Sequence, residues 1–449
     1  MEKTQSEEVE KKNINIKLFP VYKMISWDLL FYYAIIFLYL VQVKGLSAPQ
    51  VLLIDAIYNI AIMIFIIPSG KIVDKIGKKN SVIIANIGVT MSVLIILFMN
   101  NFIHAIIAYS AMAFGYSIKA IAENIILYDS IPSGSKRGKI FSVIDGKASS
   151  YYYYIDAVSA IVTGFLYVIN PHVPIILCLT MCIVSTVLSC KFQHTNSMDK
   201  TKKDSAEKIS LKEAFKYVKS SRRISYLILF YAVFSGLLYN IGSLRSSLFE
   251  DLNLNPQYFG IIYAVLQIIS GTTARFQNKI HNRFKNETLA VLGIPLTISC
   301  ILIGILGALN TDNFIFSVIV ILFIVQNILK GPYRTLIVRY MNNFTNKEIR
   351  TKLATLESLA YYAVTVIFSL VCSGLLKKTS TANTFTVVGI ISTFLIGTLL
   401  YLMKGRVGLK PEQYPAEDLK YSHFYKEKLE EEKTKNKRFI GCLKNLNSK

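Results

Sequence analysis

Ionisable side chains set deep inside apolar runs are the residues here with chemistry to perform, because a charge in a membrane span costs a few kcal/mol. The clearest set is Asp145, Ser149, Tyr152, Asp156, Ser159 and Thr163, spaced by alternating steps of four and three. That spacing keeps them on one face of a helix. Asp156 falls roughly 20 Å from the Lys/Arg-rich end at 1.5 Å per residue. A carboxylate at that depth faces water, a cation or a substrate, or else sits in a fixed ion pair or as a neutral hydrogen-bonded acid. Of Tyr151 to Tyr154, which point all round the helix, one or two can line a cavity.

A second face carries Tyr116, Lys119 and Glu123. Lys119 and Glu123 can neutralise each other at i,i+4, or can serve a transport cycle. Later in the chain come Tyr263, Gln267 and Ser270, then Gln326, Lys330 and Tyr333, then Glu357 and Tyr361. Lys330 and Arg334 could also mark a helix end by snorkelling. Asp28, beside Trp27, reads as an interface marker, and Asp55 as a shallow acid.

These residues need long helices to hold them. The 449-residue chain is 53% hydrophobic with a single Trp. Apolar runs cover residues 24–43, 49–69, 81–99, 102–130, 141–169, 173–190, 224–244, 256–275, 288–308, 313–337, 349–375 and 383–403, predicting twelve transmembrane helices. Residues 1–23 read as a charged tail, 191–223 as a polar linker and 404–449 as a second tail, within which 426–438 could be helical. The charged start shows no pattern of a cleavable signal. In the linker, Ser210 and Glu213 form a capping box. The helix that follows has Ala214, Phe215 and Val218 on one side and Lys212, Lys216 and Lys219 on the other, and suits either a membrane surface or solvent.

The net charge of +22 would suggest nucleic acid in a soluble chain. Here, all but six of the 50 Lys and Arg fall on one side of the spans. Lys44, Arg245, Lys377 and Lys378 lie on the other, and Lys119 and Lys330 within spans. This asymmetry predicts both termini in the cytoplasm and attraction to anionic lipid rather than nucleic acid. Five of the six cysteines lie in apolar spans as small hydrophobes. Cys178 and Cys182, one turn apart, lack further ligands, so no metal or cofactor is expected.

The loop Pro68-Ser-Gly70-Lys-Ile-Val-Asp74-Lys75-Ile-Gly77-Lys78-Lys79 resembles the motif Gly-x-x-x-Asp-Arg/Lys-x-Gly-Arg/Lys-Arg/Lys between helices 2 and 3 of the major facilitator superfamily. Gly70 and Gly77 offer close approach and positive φ. A shift of 208 residues lays Lys71–Gly77 on Lys279–Lys285, and with one indel Pro49-Gln50 falls on Pro256-Gln257. The second copy has Asn282 and Lys285 in place of Asp74 and Gly77. The resemblance implies an all-α membrane protein, 24–190 and 224–403 forming two pseudo-symmetric six-helix halves. It also implies that helices 3, 6, 9 and 12 are peripheral, which suits their lack of Asp, Glu, Lys and Arg. Asp74 would latch the inner face, paired with Arg137 or with the N-terminus of the eleventh helix near Thr351. Tyr128-Asp129-Ser130, after a leucine, resembles the end of helix 4 in some bacterial members. The Gly-Pro of drug–proton antiporter helix 5 is missing, since that span has Gly164 alone.

The expectation is a monomeric secondary transporter of a small organic solute, coupled to protons through Asp156, Glu123 or Glu357, with export favoured. A transporter-like sensor that binds without transporting is the alternative. An embedded transferase lacks its parts. All five histidines lie in loops, span edges or the tail, and no Gly-x-Ser-x-Gly is present.

Overall fold

The computed structural model describes residues 2–132, 137–194, 210–309, 312–343 and 347–403, with 429–430 and 433–434 beyond them. Fifteen α-helices carry the described chain: α1 (Glu2–Ser26), α2 (Ile36–Leu38), α3 (Ala48–Ile76), α4 (Lys78–Phe98), α5 (Phe102–Ser130), α6 (Arg137–Ile169), α7 (His172–Cys190), α8 (Leu211–Ser220), α9 (Arg222–Asp251), α10 (Pro256–Thr273), α11 (Gln277–Phe284), α12 (Thr288–Gly307), α13 (Asn313–Asn343), α14 (Lys347–Leu376) and α15 (Thr381–Met403). Eleven helical segments among the described residues are long and apolar enough to cross a membrane. No strand occurs among those residues.

The twelfth predicted span, first in the chain, is not a continuous helix. α1 stops at Ser26, residues 27–35 are irregular with Phe31 at φ 60°, and the chain resumes as α2 and a π-helical turn, Tyr39–Val43. The first 23 residues are also more than a tail. They are helical, and Asn15, Phe19, Tyr22 and Lys23 are buried against the neighbouring helices. Asn15 donates to the Ser130 hydroxyl at 3.1 Å and accepts from the Gln193 amide at 2.7 Å.

The internal repeat is visible in the helix starts. α3 and α10 each open with proline in the first turn after a polar N-cap, Ser47 and Asn255. The halves meet along two seams, α3 against α14 and α6 against α10. The repeat exchanges α3 with α10 and α6 with α14, so the two seams are equivalent, as an axis along the membrane normal requires. α4, α7, α12 and α15 pack mainly within their own halves, on the periphery.

α8 has the predicted capping box, with the Ser210 amide donating to Glu213 Oε2 at 2.8 Å and the Glu213 amide to Ser210 Oγ at 3.1 Å. Its buried face is Ala214 and Tyr217, whereas Phe215 is 59% exposed alongside Lys212, Lys216 and Lys219. The expected tail helix over 426–438 and linker residues 195–209 lie largely outside the described residues.

Candidate functional site: a tyrosine-walled cavity between the halves

Where the first helix breaks, backbone groups lose their helical partners, and at membrane depth they must be satisfied by protein or by a water-filled cavity. Three residues of α5, one helical turn after another, contact the region of the break, and one of them, Lys119, satisfies a freed backbone carbonyl. Glu123 accepts from the Tyr22 hydroxyl at 2.6 Å. Lys119 donates to the Ser26 carbonyl, the last of α1, and lies 3.8 Å from Glu123. Tyr116 donates to Asp28 Oδ1 at 2.8 Å. The face predicted from spacing is therefore a brace for the broken helix, with a cation at the negative end of α1. Asp28 also accepts from the Tyr33 hydroxyl at 2.6 Å and the Leu29 amide at 2.9 Å, both on Oδ1.

The stripe on α6 divides in two. Asp145 pairs with Lys23 of α1, and Tyr152 stacks on Trp27 with ring centroids 6.2 Å apart. Tyr152 is buried while Tyr151, Tyr153 and Tyr154 are exposed, so one of the four faces inward. Asp156 is 3% exposed, its Oδ2 has no hydrogen-bond partner, and its polar neighbours are Gln267 and Tyr152.

Between the halves lies a cavity of about 490 Å³. It is walled by eight tyrosines, drawn from α3, α5, α9, α10, α14 and the break after α1. Five of the residues singled out from the later spans line it: Tyr263, Gln267, Gln326, Lys330 and Tyr361. Asp156, Tyr152, Tyr116, Lys119, Glu123 and Glu357 do not, and Glu357 has Arg334 as its charged neighbour instead. Asp28, Asp55 and Arg245, set aside by sequence as interfacial, shallow or external, do line it. Asp28 was misplaced because Lys17 and Lys23 cut short the apolar run. Arg245 was misplaced because α9 continues to Asp251 rather than ending near residue 244.

Two hydrogen bonds between the halves sit toward the ends of the helices away from the basic loops. Ser243 of α9 donates to Asp55 Oδ2 at 2.7 Å, and Ser373 of α14 donates to the Pro49 carbonyl at 2.7 Å. At the other seam, a Cβ on Gly260 would lie 2.1 Å from the Ala160 carbonyl oxygen, and one on Gly164 would lie 2.8 Å from that of Gln257. Only glycine permits so close a crossing. The halves thus cross closely and bond at this end.

At the basic end, the expected hairpin glycines differ. Gly77 turns the chain at φ 82°, while Gly70 lies inside α3 with open space where a Cβ would be. The Asp74–Arg137 pair is not formed: Asp74 is exposed with no hydrogen bond or ion pair among the described residues. Arg137 instead donates to the Tyr128 carbonyl at 2.7 and 3.0 Å and lies 3.5 Å from Asp129, which also accepts Lys78 at 2.7 Å. Lys75 is exposed and Lys79 half-buried. Nothing is described of the Thr351 side chain. Motif lysine, α5 end and α6 start are thus tied together inside one half, as befits a conformer closed at the opposite end.

Two helical halves joined by equivalent seams around a central cavity define a major facilitator fold. The chain belongs to the Major Facilitator Superfamily, whose sequence profile matches residues 19–323, and it is a multi-pass membrane transporter. Among solved structures it is similar to the nucleoside transporter NupG, at 11% identity over 88% of this chain and 99% of that one, TM-score 0.71. It is also similar to a peptide transporter of the POT type bound to alafosfalin (14% identity, 89% and 94% covered, TM-score 0.60) and to a D-xylose–proton symporter (12%, 86% and 96%, TM-score 0.59). At such identities these likenesses speak to the fold alone. No curated protein sequence matches it.

Proposed function

We propose that this protein moves a small organic solute across the cytoplasmic membrane by alternating access, coupled to protons, with both termini in the cytoplasm and export as the working direction. The observation that carries the reading is the cavity of about 490 Å³, in the size range of small-molecule sites, held between the halves, which cross tightly toward one end. Carboxylates stand in and beside it: Asp28 and Asp55 on its wall, Asp156 next to Gln267. The named neighbours, a nucleoside transporter, a peptide transporter and a D-xylose–proton symporter, are compatible with a polar organic cargo. The charge asymmetry of the loops supports the orientation. The exposed Phe215 and lysines of α8 suit an anionic lipid surface, and the protein works as a monomer.

The test is solute-driven proton flux in proteoliposomes, with Asp156→Asn, Asp28→Asn and Glu357→Gln. Loss of flux in Asp156→Asn or Asp28→Asn, with Glu357→Gln spared, is the expected outcome. Undiminished flux in all three would remove proton coupling through these acids. A protein that binds solute yet moves none would favour the sensor reading.

A further inference from the structure

The charges on the cavity wall are segregated by half. The acids Asp28 and Asp55 belong to the first half, on the break and α3, and the bases Arg245 and Lys330 to the second, on α9 and α13. Among the described residues the ion pairs lie within the first half, and neither Arg245 nor Lys330 has a carboxylate within 4 Å. The two cations are electrostatic neighbours of each other, and the first-half acid Asp156 is a more distant charge neighbour of Lys330 that does not contact it. The guanidinium of Arg245 has instead the Phe323 ring, 6.0 Å away. Charges withdrawn from bulk water without partners are expensive, and the expense falls when an anion sits between them.

The acidic side offers a matching set of acceptors. Asn59 is one helical turn beyond Asp55 on α3, and its amide nitrogen is committed to the Asp55 carbonyl at 2.7 Å. Its Oδ1 has no partner although Asn59 is 1% exposed and lines the cavity. A buried acceptor left open beside a carboxylate is a place for a donor that bears positive charge. The two subsites line one cavity, to which α9 contributes both Ser243, which holds Asp55, and Arg245. Between them the tyrosine rings supply faces for an aromatic or apolar body.

From this arrangement we infer that the cargo is a zwitterion, its cationic group taken by Asp55 and Asn59 and its anionic group by Arg245 and Lys330. This rests on the transporter reading above and names the substrate class of the same cavity. A solute carrying only one sign leaves the opposite pair uncompensated, so the site discriminates against it by omission as well as by contact. A zwitterion also bridges the halves, so that its binding depends on how far apart they stand.

Trp27, the only tryptophan in the chain, stacks on Tyr152 next to Asp28 and makes binding readable by intrinsic fluorescence of the full-length purified protein. The probes are phenylalanine and the dipeptide Phe-Ala, each compared with its methyl ester, which lacks the anion, and its N-acetyl form, which lacks the cation. At least one free zwitterion should bind, and each capped form of it about 30-fold or more weaker, the lower end for truncating one partner of a buried charge pair. Arg245→Gln should weaken the zwitterion while leaving its ester unaffected, and Asp55→Asn should do the same for the N-acetyl form. Equal binding of either capped form, or no binding of any free zwitterion, overturns the proposal. A nucleoside or sugar that binds and exchanges in counterflow would overturn it while preserving the transporter reading. Failure of every solute to cross would sink that reading itself.

Discussion

Replacing Lys119 by methionine separates a brace from a cargo ligand. The side chain is 5% exposed and Glu123 is 9% exposed, their charged atoms 3.8 Å apart. The same ammonium satisfies the Ser26 carbonyl at the end of α1. Lys119→Met therefore strands a buried carboxylate that keeps only the Tyr22 hydroxyl, and it uncovers a helix-terminal carbonyl at membrane depth. Removing one partner of a buried pair is worth about 3–5 kcal/mol of folding stability. Glu123→Gln strands the ammonium more gently, because the amide oxygen still accepts from Tyr22 and Lys119 retains Ser26. In the double variant the charges leave together, so its loss falls short of the sum of the singles by roughly 1–3 kcal/mol, the range for residues in one network. The assay is denaturant unfolding of detergent-purified protein, run beside fluorescence binding. If Lys119→Met is as stable as wild type and has lost only binding, the residue is a ligand and the brace is wrong. Strict additivity of the two substitutions would equally refute the shared network.

Gly260→Ala should push the ends of α6 and α10 apart, because the added carbon would meet the Ala160 carbonyl oxygen at 2.1 Å. A cysteine placed at Ser243 should then react faster with a membrane-impermeant maleimide from that side. An unchanged rate would mean the seam yields elsewhere. Asp74→Asn should leave the stability of this conformer within about 0.5 kcal/mol of wild type, as for an exposed surface change, since Asp74 makes no bond here. A latch role for Asp74 in the opposite conformer predicts that turnover nevertheless falls. Normal turnover would remove the latch.

The parts legible in sequence were those with local signals. α5 runs from Phe102 to Ser130 as the apolar pattern indicated, the capping box at Ser210 and Glu213 starts α8, and the prolines at 49 and 256 open matching helices. Stripe reasoning found the faces of α5 and α6 correctly but not what they face. Helical periodicity says which residues share a side, and it is silent on whether that side meets a cavity or another helix. Asp28 illustrates the limit. Lys23 made the membrane run seem to begin at residue 24, yet its charge is met by Asp145, 122 positions away. No window along the chain could reveal that neutralisation. The break at 27–35 is hidden for a related reason, since no proline or glycine marks the segment and the groups that bond around it, Tyr116, Lys119 and Glu123, lie far along the chain.

That distribution of contacts decides which parts can move against one another. The broken helix is tied to α5 by three side chains and to α6 by Lys23–Asp145 and the Trp27–Tyr152 stack, all within the first half. Arg137, Asp129 and Lys78 secure the motif hairpin to that same half. By contrast, the halves are held together mainly by the apolar packing of the two seams, with two hydrogen bonds and two glycine crossings toward one end among the described residues. Rocking the halves therefore breaks few polar interactions, and Asp28, Asp55 and the brace travel as a unit. Arg245 and Lys330 travel with the other half. The separation of positive from negative wall then changes with every excursion, so the same motion that exposes the cavity to one side of the membrane also sets how strongly a charged solute is held there.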